Sequence, residues 1–259
     1  MHSLLKKKGF IIDIDGVVGR SVEPIVEGVR GVHKLLALGK KVVFVSNNST
    51  RSRKILLERL RSFGISVSEK EIVSATHATA SFIAREKESA KVFTTGEEGL
   101  KEELIKAGLE IVDYKEAEYL VVGSNRNLNY DLMTKALRCC LRGVRYIATN
   151  PDKIFPSEDG PTPGTGLIIG ALYWMTGRMP DVIVGKPSKV IMLEALERLN
   201  LRAEDVVVVG DQIEVDVVAG KNIGAETLLV LTGVTKREDL EKASIKPDYV
   251  LESLEALFL

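Results

Sequence analysis

Four times along the chain a short apolar run stops abruptly at glycine or small polar residues. Gly9 to Ile14 ends in Asp13-Ile14-Asp15-Gly16, and Lys41 to Val45 ends in Ser46-Asn47-Asn48-Ser49-Thr50. Val182 to Val184 runs into Gly185-Lys186-Pro187, and Val206 to Val209 into Gly210-Asp211. Short runs with no polar alternation predict strands buried on both faces, as in a parallel sheet. Helical spacing separates them, over Ile25 to Leu38, Arg53 to Phe63 and Lys189 to Leu199. Strand, helix and strand in repetition predict an α/β chain with a doubly wound, Rossmann-like parallel sheet. Such sheets bind ligands beyond the carboxyl ends of their strands, where all four polar clusters are expected to meet.

The middle of the chain carries its own α/β rhythm. Lys91 to Thr95, Ala117 to Val122 and Val144 to Ala148 read as strands, with helices over Glu97 to Ala107 and Tyr130 to Leu141. These elements could extend the first sheet, but they separate the Ser46 cluster from the Lys186 cluster, which favours an inserted module. The expected organisation is a core from 1–77 and 181–259 with an inserted α/β domain over 78–180.

Composition narrows the function. Thirty-six basic residues balance 36 acidic ones, so the broad cationic face of a nucleic-acid binder is not expected. The longest nearly apolar stretch, Gly166 to Met175, is about half of the ~20 residues a membrane span needs. The first residues lack the basic, then apolar, then small order of a secretory signal, and a cytoplasmic protein is expected. Cys139 and Cys140 are adjacent in a helical segment and have no metal-binding spacing. His2, His33 and His77 stand in no acyl-transfer pattern.

Each polar cluster alone has a plain structural explanation. Asp-Gly closes turns, Ser, Asn and Thr cap helices, and a lysine in a loop is commonly solvated. Together they say more. Asp13, Asp15, Asp211 and Asp216 would crowd carboxylates at one crevice, and at ~4 Å with an effective dielectric near 20 each close pair repels by ~4 kcal/mol. Lys186 alone is too little positive charge, so a cation is required, and oxygen-only ligands indicate Mg²⁺ rather than zinc. Hydroxyl, amide and lysine groups beside a metal suit a phosphoryl guest, with Asp13 as the candidate nucleophile. Pro161 to Gly166, rich in glycine and threonine, has the look of a phosphate cradle as well.

These residues resemble the haloacid dehalogenase-like superfamily, in its p-nitrophenyl phosphatase and N-acetylglucosamine-operon phosphatase branch. The matching motifs are DIDGVV at 13–18, SNNSTRS at 46–52, VGKPS at 184–188 and VVVVGDQIEVDVVAG at 206–220, with VFTTGEEGL at 92–100 and ATNPDKIFPSEDGPTPGTG at 148–166 resembling that branch's large cap. The resemblance implies a Mg²⁺-dependent phosphatase acting on a small phosphorylated metabolite, with neither nucleic acid nor membrane as partner. It implies Asp13 as nucleophile, Asp15 as acid and base, and metal ligation by Asp13, the main-chain carbonyl of Asp15 and Asp211. Asp216 would steady the metal shell or Lys186. Ser46, Asn47 and Lys186 would hold the phosphoryl group, with Asn48 nearer the substrate. The glycine-rich loop becomes support for the cap, and caps of this branch often contribute to dimer contacts. Gln212 and Val215 depart from the usual Arg and Thr, and Phe155 stands where related pyridoxal phosphatases have a histidine. A phosphotransferase or mutase, and a non-catalytic switch that stores an aspartyl-phosphate, remain the alternatives.

Overall fold

The computed structural model of the protein describes residues 3–157 and 160–259. His2, and the two residues 158–159 inside the glycine-rich cap motif, lie outside them. The chain divides into two compact units, one of Met1–Ser46, Lys54–Val73 and Lys186–Leu259, the other of Asn47–Arg53 and Ser74–Gly185.

The first unit is built on a six-stranded sheet. Its strand order is Tyr249–Leu251, Glu226–Val230, Val206–Gly210, Gly9–Asp13, Lys41–Ser46, Ile72–Ser74. Gly9–Asp13 pairs in parallel with Lys41–Ser46 on one side and with Val206–Gly210 on the other. Successive strands therefore progress outward in one direction for the first part of the chain and in the opposite direction for the last. The reversal falls between Gly9–Asp13 and Val206–Gly210, the point where a crevice opens at the carboxyl ends of a doubly wound sheet. Every residue of these two strands is buried, which explains their unbroken apolar sequence. Phe10, Ile12, Val207 and Val209 join one core with Val32 and Leu35 of helix Val26–Ala37 and Leu56 and Leu60 of helix Arg53–Ser62.

The second unit holds a separate five-stranded sheet, in the order Val182–Ile183, Arg145–Ala148, Tyr119–Val122, Lys91–Thr94, Glu110–Ile111, with parallel pairing. Its core gathers Phe93, Leu120, Val122, Tyr146, Ile168 and Leu172. The Val182 run thus forms a strand, but not in the first sheet, as its sequence led us to expect. Only two residues pair, both half-buried, with Arg145–Ala148 at an edge. A two-residue apolar step reads the same in either sheet, and only its partner distinguishes them. The segment 47–53, grouped above with the core, packs with the second unit. In the glycine-rich loop, the amides of Gly164 and Gly166 donate to the carbonyls of Lys153 and Asp152. Those amides support the start of helix Gly166–Thr176. Among the described residues no helix is long and apolar enough to cross a membrane.

Candidate active site

Asp13 ends its strand, and Gly210-Asp211 ends the neighbouring one, so sheet register alone brings the two acids to the same edge. Ser46 ends the strand on the other side, one residue beyond Val45, the partner of Asp13. A turn of π-helix, Ile213–Val217, then folds Asp216 back toward Asp211. The wider turn lets the Asp216 carboxylate accept from the amides of Asp211 at 3.2 Å and Gln212 at 3.1 Å through Oδ2.

Lys186 is the buried cation of the site. Its Nζ lies 2.6 Å from Asp13 Oδ1 and 2.6 Å from Asp216 Oδ1. Asp216 therefore has both oxygens engaged, one on the lysine and one on the two amides. Asp211 differs: Oδ2 accepts from the amide of Val234 at 2.7 Å, while Oδ1 is buried with no hydrogen-bond partner. Close backbone encloses this side chain, since a Cβ on Gly16 would fall 2.3 Å from Asp211 Oδ2 and one on Gly233 1.9 Å from it. Gly16 also has a φ of 88°, a conformation that favours glycine and that turns the chain after Asp15.

Asp13, Asp211 and Asp216 each offer an oxygen within 4.8 Å of the others. Burial pushes the Asp211 carboxyl up to about 7, and the charge of Asp216 adds to it. Burial likewise raises Asp13 well above the ordinary carboxylate range; Lys186 opposes that rise, while Asp216, Asp211 and Asp15 reinforce it. Burial works against the charge on Lys186, but Asp13 and Asp216 outweigh it and hold the ammonium above the usual lysine range. Three buried carboxylates thus share one cation, and two of them are short of positive charge. An orphaned Asp211 oxygen facing an oxygen-only donor set fits a hard divalent ion such as Mg²⁺. With Asp216 committed elsewhere, Asp13 and Asp211 are the side chains left to hold it.

Asp15 is not one of this buried group of three. Its carboxylate is half-exposed, and Oδ1 accepts from Arg59 Nη2 at 2.7 Å. Asn47 and Asn48 fall in the second unit. The amide of Asn47 donates to Asp152 Oδ1 at 3.0 Å, and its carbonyl accepts from Asn150. Asn48 Oδ1 accepts from the amides of Thr50 and Arg51, which is turn-capping geometry. Arg59 was not anticipated, although it falls on the helix face of Leu56, Leu57 and Leu60, where a charged residue is out of place. That mismatch was visible in the sequence.

Known proteins resemble this chain along most of its length. A haloacid dehalogenase-like hydrolase family model matches residues 10–110, and a HAD-hydrolase-like model matches residues 183–257. The chain is 37% identical to the 5'-nucleotidase YutF of Bacillus subtilis, over 95% of this chain and 96% of that protein. The solved p-nitrophenyl phosphatase from Archaeoglobus fulgidus superposes with a TM-score of 0.95 at 74% identity, covering 97% of this chain and 98% of that one. NagD from E. coli K-12 is similar at a TM-score of 0.88 and 32% identity, over 96% and 98%.

Proposed function

The chain belongs to the haloacid dehalogenase-like hydrolases and is a phosphoric monoester hydrolase; on that premise we propose Mg²⁺-dependent hydrolysis of small phosphate monoesters through an aspartyl-phosphate on Asp13. The observation that carries this reading is the sharing of Lys186 between Asp13 and Asp216 beside the orphaned oxygen of Asp211. Mg²⁺, when bound by Asp13, Asp211 and the main-chain carbonyl of Asp15, would supply positive charge to the phosphoryl oxygens.

The side chains supply the rest. An Asp13 oxygen forms a bond to phosphorus while the bond to the leaving oxygen breaks, and Asp15 gives that oxygen a proton. Asp15 then takes a proton from water as the water oxygen attacks phosphorus, and the electron pair of the broken phosphorus bond returns to Asp13. Lys186 neutralises charge on Asp13 and on the transferring group, and Ser46 and Asn47 hold the phosphoryl oxygens. Asp216 fixes Lys186. The second unit serves as the cap that excludes water and selects the leaving group, with Asn48 on its substrate side. The half-exposure of Asp15 favours turnover over storage of the phosphoryl group, because a solvent-accessible acid and base shortens the life of the intermediate.

Two of the relatives named above are a 5'-nucleotidase and a p-nitrophenyl phosphatase, which supports a small phosphorylated substrate. The test is p-nitrophenyl phosphate turnover with Mg²⁺, with chelator, and in Asp13→Asn. Loss in both arms is expected. Undiminished turnover by Asp13→Asn would remove the nucleophile, and full activity in chelator would remove the metal.

A further inference from the structure

Arg59 lies in helix Arg53–Ser62 at a position the packing would give to a leucine. Leu56, Leu57 and Leu60 are buried around it, and its own side chain is 7% exposed. A guanidinium kept out of water is strongly unfavourable unless an acid answers it. Among the described residues the acid that does so is Asp15, 2.7 Å from Nη2. The rest of the seat is built tightly. The Phe63 ring lies 5.4 Å from the guanidinium carbon, and a Cβ on Gly19 would fall 2.4 Å from that ring and 3.2 Å from Nη2. Nε is buried with no partner, so the pair with Asp15 is what holds the charge in place.

We propose that Arg59 is the positioning residue for Asp15: it occupies Oδ1 and so leaves Oδ2 to exchange protons, first with the leaving oxygen and then with water. The proposal rests on the phosphatase reading above. Asp15 follows a strand end and a glycine turn, and its carboxylate is half in solvent. Among the described residues Arg59 is the side-chain partner of Asp15, and without it the proton would be offered from many rotamers.

The test compares two substrates in Arg59→Met, which keeps most of the volume, and in Arg59→Lys. p-Nitrophenolate leaves readily without a proton, whereas an alkoxide does not. In Arg59→Met, kcat/KM for an alkyl phosphate such as glycerol phosphate should fall ~10²-fold, and for p-nitrophenyl phosphate less than ~10-fold, in the range expected of general acid catalysis. A burst of p-nitrophenolate should appear as the aspartyl-phosphate accumulates, because its hydrolysis also needs the held Asp15. Arg59→Lys should recover part of the alkyl phosphate activity. Equal losses on both substrates without a burst, or no loss at all, would overturn the proposal even with an active wild-type chain. If Arg59→Met does not fold, Arg59→Lys decides by the same substrate ratio. An inactive wild-type chain would overturn the phosphatase reading and this inference with it.

Discussion

Both units bury carboxylates, and they treat them in opposite ways. In the second unit, Glu103 is fully buried; its Oε1 accepts from the amide of Arg53 at 2.8 Å, and its Oε2 lies 3.2 Å from Arg53 Nε and 3.5 Å from His77 Nδ1. Burial would raise its pKa, but the bond to His77 and the amide and charge of Arg53 prevail and pull it down to about 2. In the first unit, Asp211 has one amide on Oδ2 and nothing on Oδ1, and burial carries it up to about 7. Burial is common to both, so partners decide. A satisfied buried carboxylate clips a chain segment, here Asn47–Arg53, to its own unit. An unsatisfied one is waiting for a cation.

The largest expected effects break this comparison at its two ends. Asp13→Asn should lower p-nitrophenyl phosphate turnover by ~10⁴-fold or more, as removal of a covalent nucleophile does, with little loss of stability. Glu103→Gln should do the reverse. Removing the buried charge that Arg53 and His77 share should cost about 3 kcal/mol in urea unfolding, while turnover well below the melting temperature stays within ~3-fold. A Glu103→Gln chain as stable as the wild type would show that the clip is idle.

Proton linkage sharpens the same contrast. Asp211 has a folded pKa above its ordinary 3.8, so its protonated form stabilises the metal-free protein at low pH, and that contribution is lost as pH rises toward and through about 7. Glu103 has a folded pKa below its ordinary 4.5, so its contribution is complete above that value and is lost as pH falls toward about 2. Metal-free unfolding free energy should therefore fall by about 2 kcal/mol between pH 5 and pH 8, each pKa unit being worth ~1.4 kcal/mol. Asp211→Asn should flatten most of that slope. Mg²⁺ at ~100 times its dissociation constant should restore about 2.7 kcal/mol at pH 8 and much less at pH 5, where it competes with protons. A metal-free stability that rises over this interval would contradict the state assigned to Asp211.

The sequence made some of this arrangement legible and hid the rest for definable reasons. Gly9–Asp13, Lys41–Ser46 and Val206–Gly210 were legible because a strand buried on both faces has no choice but to be apolar throughout. Asp13, Lys186 and Asp211 were legible as a group because each stands where such a run stops, and Asp216 follows Asp211 by five positions. Ile72–Ser74, Glu226–Val230 and Tyr249–Leu251, which complete the sheet, went unread, although Thr227 to Leu231 followed by Thr232-Gly233 repeats the same signal. Val182–Ile183 was read as a strand but given to the wrong sheet, because pairing partners are not written in a two-residue run. His77 carries no local pattern, and its partner Glu103 is 26 positions away. Long-range pairs of this kind appear only once the chain is folded.

Asn48 offers the smallest effect and the finest division between structure and function. Its Oδ1 already serves the turn, accepting from the amides of Thr50 and Arg51, while the proposed function places it on the substrate side of the cap. The two roles use different atoms. Asn48→Asp keeps an acceptor oxygen for the turn and replaces the amide nitrogen with a second oxygen, so the turn's hydrogen bonds should hold while KM for p-nitrophenyl phosphate rises about 5-fold, an effect near 1 kcal/mol. Asn48→Ala removes the acceptor too and should cost a further ~1 kcal/mol of stability, as a lost cap does. Should KM stay level in Asn48→Asp while Asn48→Ala melts early, Asn48 belongs with Glu103 among the groups that hold the second unit together, and only Ser46, Asn47 and Lys186 remain to receive the phosphoryl group.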